Sequence, residues 1–218
     1  MRVLFITFIP SPYRLLFFEE LAKHCNLTVL FERNRSKLRE TAWDKFDFKG
    51  YEGILLNGFP KNSNERLCLD AFKFLKRDIY DIIVLSNPLS ATEILASQIL
   101  RLKKIPYVIE NDGAFPTGKK GIKQWIKRLV YSNAAYCLST AKLNDEYLIE
   151  AGVNPDKIHR YPFTSVKSDD IISTPPSTEE KLALREKLRL KKENIVISIG
   201  RFIHSKGYDI LFKTASVT

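Results

Sequence analysis

Arg201 and Lys206 stand five residues apart in a polar loop, between the β-branched run Ile195–Ile199 and a helix-patterned stretch, Tyr208–Ala215. A guanidinium fork and an ammonium beside a helix N-terminus suit a diphosphate. The same pair also reads as two solvated loop charges, because Gly-Arg…Lys-Gly is a common string. Earlier, Glu110-Asn-Asp112-Gly113 sets two carboxylates two residues apart after a short apolar run. A carboxylate there can bind a hydroxyl or assist its deprotonation; the alternative is a plain Asn-Asp-Gly turn. In Ile9-Pro-Ser-Pro-Tyr13-Arg14, the tyrosine offers a stacking face and the arginine a cation, unless the ring simply packs and the charge is solvated. Ser139 and Thr140 are further candidates. His24, His159 and His204 are isolated, with no second ligand at i+3 or i+4, so neither a metal site nor a cofactor is expected.

The elements that must position these residues alternate. Strands are expected at Arg2–Thr7, Leu27–Phe31, Asp81–Leu85, Pro106–Glu110, Ala134–Leu138 and Ile158–Tyr161, with Asp44–Leu56 a strand or hairpin. Helices are expected at Ser11–His24, with Pro12 in the first turn, and at Asn64–Lys76, Ser90–Leu102, Lys119–Tyr131 and Ala141–Ala151, the last ended by Gly152. This alternation predicts an α/β fold: a Rossmann-like parallel sheet with helices on both faces. Ligands of such sheets bind beyond the strand carboxyl ends, where the candidates above lie. Ile195–Ile199 reads as a further, buried strand.

Residues 113–144 form a basic segment without an acid, carrying Lys119, Lys120, Lys123, Lys127, Arg128 and Lys142. Ile122, Trp125, Ile126, Leu129 and Val130 recur at helical spacing. Lys120, Lys123, Trp125 and Lys127 would face an anionic membrane surface if the helix lies on one. The alternative is a domain helix with its apolar face on the sheet and its lysines solvated.

Gly200-Arg201…Lys206-Gly207…Leu211…Ala215, with the preceding Leu184–Asn194 stretch, resembles the start of the donor-binding domain of family 4 glycosyltransferases, which have the GT-B fold. The Ile9–Arg14 loop resembles that of capsule- and O-antigen-type members, although prolines stand here where many members carry a glycine pair. The resemblance implies a retaining, hexosyltransferase-type enzyme in surface polysaccharide synthesis. Its donor is a nucleotide-sugar, its acceptor a saccharide, often lipid-linked, and its place the cytoplasm, peripheral at the inner membrane face. It further implies that Arg201 and Lys206 hold the donor diphosphate and that Tyr13 and Arg14 lie on the acceptor side. Many members place a sugar-touching histidine near Glu110 and Asp112; this chain has none there, so only an acceptor contact or base role is carried by those two carboxylates.

Length, 218 residues, suffices for one large domain or one and a half small ones, and 44% hydrophobic content supports a proper core. No apolar run approaches a bilayer span. Cys25, Cys68 and Cys137 lack metal or disulfide spacing and read as buried thiols in a reducing compartment. The net charge of +10 calls for an acidic partner. A nucleic-acid or anionic-surface binder is therefore a competing class, but no recognition motif appears in the chain and its aromatics read as core, which count against it; a GT-B-type sugar epimerase is another. The expected division is an acceptor-side domain over 1–166, a linker over 167–177 marked by Asp169-Asp170 and Pro175-Pro176, and the start of a nucleotide-sugar-binding domain over 178–218. About forty residues cannot close a core of their own. The chain is thus expected to stop inside its second domain and to be inactive alone.

Overall fold

The computed structural model describes residues 1–34, 47–60, 66–118, 120–164, 166–191 and 194–215. The chain divides into two compact units, Met1–Asp170 and Ile171–Thr218.

The first unit is built on the alternation of side chains along its strands. In β1 (Arg2–Thr7), Leu4 and Ile6 enter one core while Val3 and Phe5 enter the other. In β2 (Asn26–Phe31), Leu30 joins the first, and Leu27, Val29 and Phe31 the second. Strands buried on both faces need continuous apolar runs, which is what the sequence supplies. With β3 (Glu52–Leu55), β6 (Ile82–Leu85), β7 (Val108–Asn111), β8 (Tyr136–Ser139) and β9 (Ile158–Arg160), they form a seven-stranded sheet in the order β3-β2-β1-β6-β7-β8-β9. Every pairing is parallel; Val3 sits opposite Leu27 on one side and Ile82 on the other. A separate two-stranded ribbon pairs β4 (Phe59–Pro60) with β5 (Arg66–Leu67).

Helix α1 (Pro12–Ala22) seals one face through Phe18, which is fully buried against Phe5 and Phe31. On the other face pack α2 (Ala91–Leu102), α3 (Ile122–Tyr131) and α4 (Lys142–Glu150), through Ala96 and Leu100, Val130 and Tyr131, and Tyr147 and Leu148. Gly152 follows α4 at φ +90°, a conformation that glycine adopts at little cost.

One expected helix of this unit is corrected here. The helix expected over Asn64–Lys76 is, over its described part, strand β5 and a 3-10 helix, Leu69–Phe74. Ala71 and Leu75 within it are fully buried all the same, and Leu67 and Phe74 half-buried. The Asp44–Leu56 region, expected as a strand or hairpin, contributes the strand β3, a parallel edge beside β2; residues 44–46 lie outside the described residues. Helix α3 packs on the sheet only in part, which leaves both readings of its basic segment open. Val130 is buried, but Ile122 is 76% exposed and Trp125 62%, so only the last turns of the apolar stripe meet the sheet.

The second unit has α5 (Thr178–Lys187) and α6 (Tyr208–Ala215). Ser177 begins α5 with a reciprocal capping box: its hydroxyl accepts the Glu180 N–H, and the Glu180 carboxylate accepts the Ser177 N–H. Ile195–Ile199, expected as a buried strand, takes no strand form, and Val196, Ile197 and Ile199 are among the most exposed side chains. A strand needs neighbours for its N–H and C=O groups, and no described residue of this unit supplies them. None of its described residues is buried, so no second Rossmann-like domain is evident.

Candidate functional site

The strand order reverses between β1 and β6: from β1 the chain runs outward through β2 to β3, and β6 returns to the other side of β1. Loops leaving the two strands diverge there and open a crevice, the usual ligand position in such sheets. A hollow of about 180 Å³ lies at this point. Thr7, Phe8, Ile9, Ser11, Tyr13 and Arg14 line it after β1, Ser86 and Asn87 after β6, and Asp112 after β7. Two larger hollows, of about 430 Å³ beside α1 and about 440 Å³ beside α3, lie away from the switch point and are mostly apolar. Size favours them; the concentration of convergent polar groups favours the crevice.

Arg14 and Glu110 form the wall. Both are at most 5% exposed, and the guanidinium grips the carboxylate through two bonds, Nη1 to Oε1 at 2.6 Å and Nη2 to Oε2 at 2.5 Å. The Tyr161 hydroxyl donates to the same Oε1. Phe17, Phe18 and Phe163 surround the guanidinium with ring centroids 5.1 to 5.9 Å from Cζ. Burial pulls the Arg14 pKa down, but the bonds and charge of Glu110 outweigh it and hold Arg14 ionised. Burial, with the Glu110 charge second, pushes the Tyr161 phenol far up, so Tyr161 remains a donor. Arg14 is therefore not the free cation the sequence suggested, because both Nη groups are engaged. Glu110 is not open to a ligand either; it ties α1 to β7. Tyr13 is half-buried and meets Phe163 edge-on at 6.0 Å, which restricts its ring as a stacking face.

Asp112 differs from its neighbour. It is solvent-accessible at the rim and lines the hollow. Partial desolvation, then the Glu110 charge, hold its carboxyl above the usual aspartate value, with Arg14 pulling the other way. A raised carboxyl beside a polar hollow is what a proton acceptor needs. The Gly113 N–H reaches the Asn111 side-chain oxygen at 3.4 Å, so the turn expected at Asn-Asp-Gly is present as well. Opposite, the Ser11 hydroxyl is 1% exposed and has no protein partner. It stands at the N-cap of α1, where Pro12 contributes no N–H. Ser139, by contrast, is buried with its hydroxyl on the Ala141 carbonyl.

Beneath the hollow lies a group of acids that sequence reading missed. The Asn87 N–H donates to both Glu93 oxygens, at 3.1 and 2.9 Å. The Glu93 N–H donates to the Ser90 hydroxyl at 3.1 Å, which itself donates to Glu32 Oε1 at 2.5 Å. Glu93 is fully buried and Glu32 1% exposed. Ser90-Ala-Thr-Glu93 has capping-box spacing, a legible signal for Glu93. Nothing local marks Glu32, which only the sheet brings here.

The remaining expected residues are elsewhere. Arg201 and Lys206 are exposed in the second unit, joined by a short turn in which Ile203 N–H donates to the Arg201 carbonyl and Lys206 N–H to that of Ile203. Gly207 follows at φ +67°. On α3, Trp125 and the nearby Lys120 and Lys123 are exposed, while the Lys127 ammonium sits 4.2 Å over the Tyr147 ring. Lys119 lies outside the described residues. Among the described residues no His, Cys, Asp or Glu group could hold a metal ion. Cys68 and Cys137 are buried and Cys25 half-buried. Burial pushes the Cys137 thiol up to about 12, which makes it unreactive. No described helix is long and apolar enough to cross a membrane.

No family model matches this chain, and no curated protein does. Solved structures do. Anabaena HepE in complex with UDP matches with a TM-score of 0.64 at 14% identity, over 99% of this chain and 57% of that one. Its complex with UDP-glucose matches at 0.61 and 13%, with the same coverage. The UDP-N-acetylglucosamine 2-epimerase from Rickettsia bellii matches at 0.51 and 11%, over 88% of this chain and 49% of that one. The chain thus spans about half the length of the structures it matches. Likeness at this identity is a likeness of fold: the first unit is a GT-B-like, Rossmann-type α/β domain.

Proposed function

We propose that this chain is the acceptor-side part of a GT-B glycosyltransferase that moves a sugar from a nucleotide-sugar to a saccharide hydroxyl. The observation that carries the reading is Asp112: an accessible carboxyl with a raised pKa, lining the hollow at the topological switch point together with Thr7, Ser11, Ser86 and Asn87. A hollow lined by hydroxyls, an amide and one carboxylate suits a polyol, whose hydroxyls both donate and accept. The fold likeness to a protein solved with UDP-glucose supports the choice of a nucleotide-sugar partner.

In this reading Asp112 accepts a hydrogen bond from the incoming hydroxyl and assists its deprotonation while the bond from the anomeric carbon to the diphosphate breaks. Arg201 and Lys206 neutralise the departing diphosphate as its charge grows. Glu110 and Arg14 hold the wall. Retention at the anomeric carbon, a hexosyl donor, a second Rossmann-like domain begun over 178–218 after a linker at 167–177, and a place in surface polysaccharide synthesis extend the same reading. So does peripheral attachment at the cytoplasmic membrane face through Lys120, Lys123, Trp125 and Lys127, which suits a lipid-linked acceptor.

The test is an amide NMR titration with neutral mono- and disaccharides. Shifts at Ser11, Ser86, Asn87 and Asp112, lost in Asp112→Ala, are expected. Shifts confined to the hollows beside α1 or α3 refute the assignment. UDP-sugar titrations of the wild type and of Arg201→Ala/Lys206→Ala test the donor loop. A second reading, sugar epimerisation, draws on the Rickettsia bellii likeness. It predicts conversion of UDP-N-acetylglucosamine without any acceptor, measurable by proton NMR on the full-length protein.

A further inference from the structure

The loop that brings Ser86 and Asn87 to the hollow is held from below by a fully buried acid. Both Glu93 oxygens take the Asn87 N–H, and Glu93 is joined through the Ser90 hydroxyl to Glu32. Each of these residues is at most 5% exposed, apart from the half-buried Asn87. A second carboxylate, Glu110, and one guanidinium, Arg14, also act on Glu93, and its own charge acts on the Tyr131 phenol from α3. Arg14 is engaged with Glu110, so Glu93 has no cation of its own within this group. A carboxylate sealed in such a place next to another acid is costly, and the remedy open to it is a proton.

We propose that Glu93 is a positioning residue for the hollow: sealed beside Glu32, it fixes the Ser86–Asn87 loop through the Asn87 N–H, and the loop loosens when Glu93 ionises. Three effects compete. Desolvation and then the Glu32 charge favour the neutral form, while the Asn87 N–H, third in weight, favours the ionised one. The first two win and raise Glu93 well above an ordinary carboxyl. With the folded value above the unfolded one, the stability that this group contributes is complete below about pH 4.5 and is lost as pH rises through the folded value. Opening the loop is the local way to let water reach the new charge. The inference rests on the saccharide reading only for what the hollow holds; the loop's response to pH stands apart from it.

The experiment follows the Asn87 backbone amide by NMR and hydrogen exchange from acid to alkaline pH, without any sugar. Wild type should show an inflection on the alkaline side of the ordinary carboxylate range. Glu93→Gln, which keeps the acceptor but cannot ionise, should lack it. Glu32→Gln should move it to lower pH by removing the neighbouring charge. Glu93→Ala should speed exchange of the Asn87 amide about five- to tenfold, the loss of one hydrogen bond, and the glutamine variant should restore protection. A flat Asn87 profile in wild type overturns the proposal, as does the same inflection persisting in Glu93→Gln. If Glu93→Gln does not fold, the wild type and Glu32→Gln decide: an inflection unmoved by Glu32→Gln also overturns it. Failure of saccharides to shift Asp112 while this titration behaves as expected would count against the substrate reading alone.

Discussion

Replacing Arg14 with methionine isolates what the buried ion pair does for the first unit. Methionine keeps the length and apolar stem, so contact with Phe17, Phe18 and Phe163 largely survives. What disappears is the pair of bonds to a carboxylate that is 1% exposed. Removing one partner of a buried pair strands the other charge and costs about 3–5 kcal/mol. The Tyr161 hydroxyl still donates to Glu110, which places the expected loss near the lower bound, about 3 kcal/mol. With a urea m-value of about 2 kcal/mol/M, the unfolding midpoint should fall by roughly 1.5 M. Near-UV circular dichroism of the buried aromatic cluster is the assay. Adding Glu110→Gln removes the stranded charge and keeps an acceptor for Tyr161, so the double variant should regain more than half of the loss. A midpoint within about 0.5 M of wild type for Arg14→Met refutes the reasoning. So does a double variant no more stable than the single one.

Asp112→Asn should abolish the saccharide-induced shifts yet raise thermal stability at neutral pH. The folded Asp112 value is raised, so its contribution to stability is whole below its ordinary value of 3.8 and is lost as pH rises; the two proteins should converge in acid, as calorimetry across pH can check. Ile195–Ile199 is an exposed β-branched run without a charge, so the chain should self-associate at micromolar concentration and Ile197→Lys should return it to monomer in sedimentation velocity. Trp125→Ala together with Lys120→Glu and Lys123→Glu should leave the melting temperature within a few degrees and remove co-sedimentation with phosphatidylserine vesicles, because these side chains are exposed. Gly152→Ala forces a side chain into φ +90° and brings its Cβ to 3.2 Å from Arg128 Nε, so a loss of about 1–2 kcal/mol is expected in urea unfolding.

Much of the fold was legible because burial on both sheet faces imposes unbroken apolar runs. Val3–Ile6, Leu27–Phe31 and Ile82–Leu85 could hardly be anything but interior strands. The Asn64–Lys76 stretch misled because Ala71 and Leu75 stand four apart, the α-helical spacing, whereas Leu69–Phe74 closes as a 3-10 helix and Leu75 lies beyond its end. For Trp125 the sequence left two readings open, because a helical apolar stripe states that a face exists, and not what covers it. Ile195–Ile199 has the composition of a strand but no described neighbour to pair with, and composition supplies no partner.

Of the candidate site, the loops after β1, β6 and β7 follow from strand alternation and the rule that ligands gather at strand ends. Tyr13, Arg14, Glu110 and Asp112 could therefore be named in advance. Their roles could not. Residues 14 and 110 lie 96 positions apart, and only the order of strands in the sheet lets a guanidinium neutralise one carboxylate and leave its near neighbour open to solvent. The same long-range pairing puts Glu32 beside the loop held by Glu93. The chain's own pattern determined where most strands and helices of the first unit form, since periodicity is local. Which acid is sealed, which is exposed and which is pushed toward its neutral form was decided by the tertiary structure, since solvation and Coulomb energies depend on distances that sequence separation does not contain.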